Sequence, residues 1–99
     1  MKVKASARNG SVVVKTLLAH PMETGRRKDG DGKLIPGHYI TEVEANHNGE
    51  RVFHCELGPS VSKDPYLAFS FQGGNSGETF TMSWVDNKGE NESTEVEIR

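Results

Sequence analysis

The chain has 99 residues, with 12 Lys and Arg against 14 Asp and Glu, and a net charge of −2. That length supports one domain with a real core, and that balance gives no reason to expect nucleic acid or an anionic membrane surface as a partner. No apolar run reaches the ~18 residues that a membrane-spanning helix needs, and Met1-Lys2-Val3-Lys4-Ala5-Ser6 carries no apolar signal region, so export by the chain's own signal is not expected.

The predicted elements are short strands between turn signals. Val3 to Ala7 reads as an edge strand, ended by Asn9-Gly10. Ser11 to Leu18 is rich in Val, Leu and Thr, which favour strands. Next comes a stretch of about twenty residues, His20 to Pro36, with neither helical nor strand periodicity. Pro21, Gly25, Gly30, Gly32, Pro36 and Gly37 interrupt any regular element there. A structureless connection of that length is uncommon in a compact domain, and is usually functional or disordered.

Ile40 to Ala45 alternates, with Thr41, Val43 and Ala45 on one face. Asn48-Gly49 signals a two-residue hairpin. His47 is expected in that turn. Glu50 to Leu57 follows, with Phe53, Cys55 and Leu57 on one face. Ser60 to Ala68 is the only stretch with helical character, and Pro59 and Pro65 hold it to about one turn. Tyr66 to Gln72 places Leu67, Phe69 and Phe71 together. Glu78 to Asp86 is the cleanest strand, with Phe80, Met82 and Trp84 inward. Asn87-Lys88-Gly89 turns the chain into Ser93 to Ile98, where Val96 and Ile98 face the core. About seven alternating strands indicate an all-β, immunoglobulin-like antiparallel sandwich. The single cysteine, Cys55, excludes an intramolecular disulfide and is expected to be a buried, slowly reacting thiol.

Nothing marks a nucleophilic enzyme: there is no G-x-S-x-G elbow and no phosphate-cradling glycine loop. The chain does have four His, at 20, 38, 47 and 54, and one Cys. That inventory equals the four-His, one-Cys iron site of superoxide reductases, which also use an immunoglobulin-like sandwich. The geometry argues against such a centre. His54 and Cys55 are adjacent in a strand and point to opposite faces, and the Cys-x-x-His spacing is missing. No metal and no cofactor are therefore expected. The basic residues Arg26, Arg27, Lys28 and Lys33, diluted by Asp29 and Asp31, offer at most a weak electrostatic aid to an anionic partner.

The run Lys15-Thr16-Leu17-Leu18-Ala19-His20-Pro21-Met22-Glu23-Thr24-Gly25, with its continuation to Ile35-Pro36, resembles the SoxZ family. So do Asn48-Gly49-Glu50-Arg51-Val52-Phe53, Asp64-Pro65-Tyr66-Leu67-Ala68-Phe69, and the Trp84-Val85-Asp86-Asn87-Lys88-Gly89 hairpin after Ser76-Gly77. Asp64 stands where that family is expected to have Asn. Cys55 belongs to none of these motifs. The resemblance implies an immunoglobulin-like fold and a non-catalytic subunit of the SoxYZ sulfur carrier of bacterial thiosulfate oxidation. In that carrier SoxY holds the sulfur substrate on a cysteine in a glycine-flanked C-terminal arm. This chain closes Ser93-Thr94-Glu95-Val96-Glu97-Ile98-Arg99, without cysteine or glycine, so it resembles the supporting subunit.

The implied partners are a SoxY-like carrier subunit and, through it, other sulfur-oxidation enzymes. The implied location is the periplasm, reached by co-export with the partner, and the cytoplasm if the chain is expressed alone. A homodimer in isolation is also expected, because an unpartnered interface often finds itself. His20, Pro21, Met22, Glu23, Thr24, Gly25, Arg26, Arg27, Ile35 and Pro36 are the expected partner-binding residues. Met22 is expected to be an exposed apolar contact whose replacement by Asp leaves the fold intact. Two other readings stand beside this one: an iron enzyme of superoxide-reductase type, and a generic immunoglobulin-like binding module.

Overall fold

The computed structural model describes all 99 residues. Seven strands form: β1 (Lys2–Arg8), β2 (Ser11–Leu17), β3 (Ile40–His47), β4 (Glu50–Glu56), β5 (Tyr66–Gln72), β6 (Thr79–Asp86) and β7 (Asn91–Glu97). One sheet has the order β1-β2-β5 and the other β4-β3-β6-β7, all pairings antiparallel. This is the expected immunoglobulin-like sandwich. No helix forms between Ser60 and Ala68; that segment is turn and bend before β5 begins.

The hairpins follow from local chemistry. Asn9-Gly10 joins β1 to β2 with φ of 49° and 83°, and Asn48-Gly49 joins β3 to β4 with φ of 49° and 81°. Both central residues are left-handed, as the twist-matched two-residue turn requires, and Asn followed by Gly tolerates that best. One side of the sandwich is closed by the C-terminus: Arg99 N–H donates to Ala5 O at 2.9 Å and Ala7 N–H to Arg99 O at 2.8 Å. On β4 and β5, the edge strands of the two sheets, Phe53 stacks on Phe69, centroids 4.0 Å apart.

The core comes from period-2 positions on both sheets: Val12 and Val14 of β2, Val43 and Ala45 of β3, and Phe80, Met82 and Trp84 of β6, joined by Ile98. Three expectations are corrected. Ile40, not Thr41, is buried, because the β3–β6 register shifts between Ile40 and Glu42. Such a bulge reverses which residues face in. His47 is the last residue of β3, not a turn residue, and is buried against Phe71. Cys55 does share a face with Phe53, but β4 is an edge strand, so the thiol is half-buried. Partial desolvation still raises its pKa, which keeps it a poor nucleophile.

Trp84 lies at the centre of this arrangement, 7% exposed, with its ring edge-on to His20 at 5.1 Å. Trp84→Ala is expected to cost about 3–5 kcal/mol. Urea unfolding would measure it, and a loss near zero would contradict the inward phase of β6.

Candidate functional site

The aperiodic segment between β2 and β3 is an ordered arm. Glu23 and His38 exchange main-chain hydrogen bonds of 2.6 and 2.9 Å, and Lys28 bridges Leu34 farther out. Ile35 N–H donates to Arg27 O at 2.8 Å. At the tip, Asp29 Oδ1 accepts the N–H groups of Asp31 and Lys33 at 2.9 and 3.0 Å. The two legs run close together at Gly25, whose φ is +86° and where a Cβ would meet the Gly37 backbone at 3.3 Å. An alanine there would be both strained and crowded. The protein is accordingly long, 54 × 20 × 17 Å.

Two turns of the sandwich, the one before β5 and the β6–β7 turn, hold the base of the arm. Asp64, just before β5, accepts the His20 N–H on Oδ1 at 3.0 Å and donates its own N–H to His20 O at 3.0 Å. Asn offers the same Oδ1 acceptor, so Asp at this position changes charge but not the bond. Asn87 accepts the Tyr39 N–H at 2.9 Å and donates Nδ2–H to Gly37 O at 2.9 Å. Between these lies Asp86, whose side chain is fully buried. Its Oδ2 is 3.0 Å from His20 Nε2 and 2.7 Å from His38 Nε2. Its Oδ1 accepts the Lys88 and Glu90 N–H groups at 3.0 and 2.9 Å. One carboxylate thus ties both legs of the arm to the β6–β7 turn.

The tautomer of His20 follows from geometry. The Met22 N–H points at Nδ1 from 3.1 Å, so Nδ1 is the acceptor and Nε2 carries the proton donated to Asp86. Burial alone would raise the Asp86 pKa. Hydrogen bonds from His20, His38 and the Glu90 and Lys88 main chain outweigh burial and hold it far below the usual carboxylate range.

His20, His38 and Asp86 bring three donor atoms within 4.8 Å, a spacing that also suits a metal ion. The protonation pattern does not. A histidine that ligates through Nε2 must carry its proton on Nδ1, and here Nδ1 already faces an N–H donor. The cluster is a hydrogen-bonded clamp. The other histidines are elsewhere: His47 Nε2 is 3.1 Å from Glu78 at the opposite end of β3, and His54 lies on the outer face, 3.9 Å from Glu42. Cys55 joins none of them, so the four His and one Cys do not converge on one centre.

Of the expected partner-binding residues, His20 and Met22 are buried within the chain, 4% and 5% exposed. This corrects the expectation that Met22 is an exposed contact. Its φ of +48° turns the side chain inward, where Sδ accepts the Ile40 N–H at 3.3 Å. Pro21, Thr24, Arg26, Arg27 and Pro36 are exposed; Glu23, Gly25 and Ile35 are half-buried. Arg27 is paired with Glu23, so Arg26 is the freer charge. His38, weighed only as a metal ligand, and Asp86 and Asn87, noted only within a hairpin motif, were not expected at the base of the arm. Leu34, outside the expected set of contact residues, is 60% exposed near the tip.

The fold and site define a seven-stranded β-sandwich carrying a rigidly clamped arm. The chain belongs to the SoxZ family: the model of that family, sulphur oxidation protein SoxZ, matches residues 1–97. It is thus a protein of sulfur oxidation. No curated protein matches the sequence. Among solved structures, the chain is similar to a superoxide reductase in the oxidized state, with a TM-score of 0.61 and 15% identity over 99% of this chain and 86% of that one. At that identity the likeness shows the fold alone, and the dispersed histidines give the iron-enzyme reading no support.

Asp86→Asn should cost about 2–4 kcal/mol, because an amide has one acceptor oxygen and its NH2 would face either the two imidazole donors or the two turn N–H donors. The folded pKa of Asp86 lies below its unfolded value of about 3.9, so its contribution is present above that pH and is lost as pH falls toward the folded value. Urea melts below about pH 4 should show wild-type stability falling more steeply than that of the variant. Met22→Asp should destabilise by more than about 3 kcal/mol, by placing an unpaired charge among core residues. A melting temperature equal to wild type would return Met22 to the surface.

Proposed function

We propose that this protein is the non-catalytic subunit of a sulfur-carrier heterodimer, supporting a SoxY-like subunit that bears the sulfur substrate covalently. The arm carries this reading. A stretch of about twenty residues outside the strands is held in one conformation by Asp64, Asp86 and Asn87, and its outer surface is left unoccupied by the rest of the chain. Pre-ordering a loop in this way lowers the entropic cost of binding a partner. The exposed Pro21, Thr24, Arg26, Arg27, Leu34 and Pro36 then form the carrier-facing surface, with Ile35 partly beneath them. His20 and Met22 act indirectly, by shaping the legs.

Two observations support a supporting role over a carrier role. The only thiol, Cys55, lies within a hydrogen-bonded strand and not on a free tail. The buried acid–imidazole cluster is consumed by structural bonds, with a backbone donor on the remaining nitrogen of His20. Other sulfur-oxidation enzymes would be met through the carrier. Residence is periplasmic, by export together with the carrier.

Leu34→Asp tests this reading where Met22→Asp cannot. Leu34 is outside the core, so its melting temperature should stay near wild type, while affinity for the SoxY-like subunit should fall by about tenfold or more, read by calorimetry. Arg26→Ala should chiefly lower the association rate and its salt dependence. Unchanged binding by Leu34→Asp would remove the arm from the interface.

A further inference from the structure

The net charge of −2 conceals a segregation of charge between the two outer faces. On the β1-β2-β5 sheet the register aligns outward residues in four rows across the strands. Lys2, Leu17 and Tyr66 form the first row, and Lys4, Lys15 and Ala68 the second. Arg8 sits in the last. These four cations occupy a face of twelve outward positions that contains no acid, and none of the four is in an ion pair. The opposite outer face carries Glu42, Glu44, Glu56, Glu95 and Glu97 with Arg51, and there Arg51 and His54 lie within 3.8 and 3.9 Å of Glu44 and Glu42.

Two details mark the basic face as more than solvating charge. Lys4 and Lys15 are direct cross-strand partners, and like charges in that position destabilise a sheet. In the adjoining row Leu17 and Tyr66, 40% and 60% exposed, lie side by side; they are two of only four large apolar residues so exposed. Shallow concavities over this face are lined by Lys4, Arg8 and Lys15 on one side and by Lys2, Leu17 and Tyr66 on the other. An apolar pair flanked on one side by unpaired cations suits a protein partner, which can cover the apolar pair and pair the cations at a polar rim. A phosphate-rich ligand would use the cations and leave the apolar pair idle. At the Tyr66 border runs β5, whose seven residues Tyr66–Gln72 carry no charge, proline or glycine, whereas edge strands normally carry such guards.

We infer that the outer face of the β1-β2-β5 sheet is a docking surface for an acidic protein. Carboxylates of the partner meet Lys4, Lys15 and Arg8, and an apolar side chain covers Leu17 and Tyr66. Docking relieves the Lys4–Lys15 repulsion that the free protein sustains. This surface does not depend on the arm or on the carrier reading.

The probe is a fluorescein-labelled glutamate-rich peptide with leucine at intervals, compared with its glutamine counterpart. Saturable binding that weakens with salt, vanishes for the glutamine peptide and shifts the amide resonances of Lys4, Lys15, Leu17 and Tyr66 is expected. Lys4→Glu should reduce affinity by about tenfold and, by pairing with Lys15, raise the melting temperature by about 1–5 °C. Lys4→Gln provides the neutral variant, with a smaller loss of affinity. Lys28→Glu on the arm should change nothing, and a SoxY-like subunit should bind Lys4→Glu as it binds wild type. The inference is overturned if no saturable binding occurs, if the shifted resonances lie on the arm, if Lys28→Glu weakens the peptide as much as Lys4→Glu, or if phosphatidylserine vesicles, single-stranded DNA or a second copy of the chain bind the face more tightly than the peptide.

Discussion

The buried carboxylate of Asp86 accepts four hydrogen bonds, two from imidazoles and two from its own turn. A buried charge without partners would be costly. Here every partner belongs either to the arm or to the β6–β7 turn, so satisfying the charge and positioning the arm are the same event. His20 and His38 sit at the start and end of the arm, and the Glu23–His38 bridge lies between them. Fixing these two ends converts a glycine- and proline-rich loop into a hairpin with one register.

The sandwich supplies the rigidity on which the clamp depends. Asp86 ends β6, the strand with the most deeply buried alternation, and Trp84 of the same strand packs against the His20 ring. The bulge in β3 turns Ile40 inward, and Ile40 in turn donates to Met22 Sδ. Core, bulge and arm are therefore linked through a short series of contacts. Under the proposed function, this linkage is what pre-orders the surface offered to the carrier subunit.

The arm and the basic face rest on different physics. The arm owes its form to short-range hydrogen bonds at its base. The basic face owes its character to register: only the antiparallel pairing of β1, β2 and β5 puts Lys4 opposite Lys15 and Leu17 beside Tyr66. Neither is visible in net charge, which averages the acidic and basic faces to a small number.

Local pattern alone determined the strands, because alternation with period two and Asn-Gly turns are encoded within a few neighbouring residues. The Phe80, Met82, Trp84 face and both hairpins were legible for that reason, and the arm's motif words pointed to the family that the full-length match then showed. Tertiary structure decided the rest. His20 and Asp86 are 66 residues apart, and only the closure of the sandwich brings them to 3.0 Å. A single bulge exchanged Ile40 for Thr41 in the core, and a left-handed backbone turned Met22 from the surface inward. Each of these depends on contacts between distant segments, whose free energy no run of adjacent residues expresses.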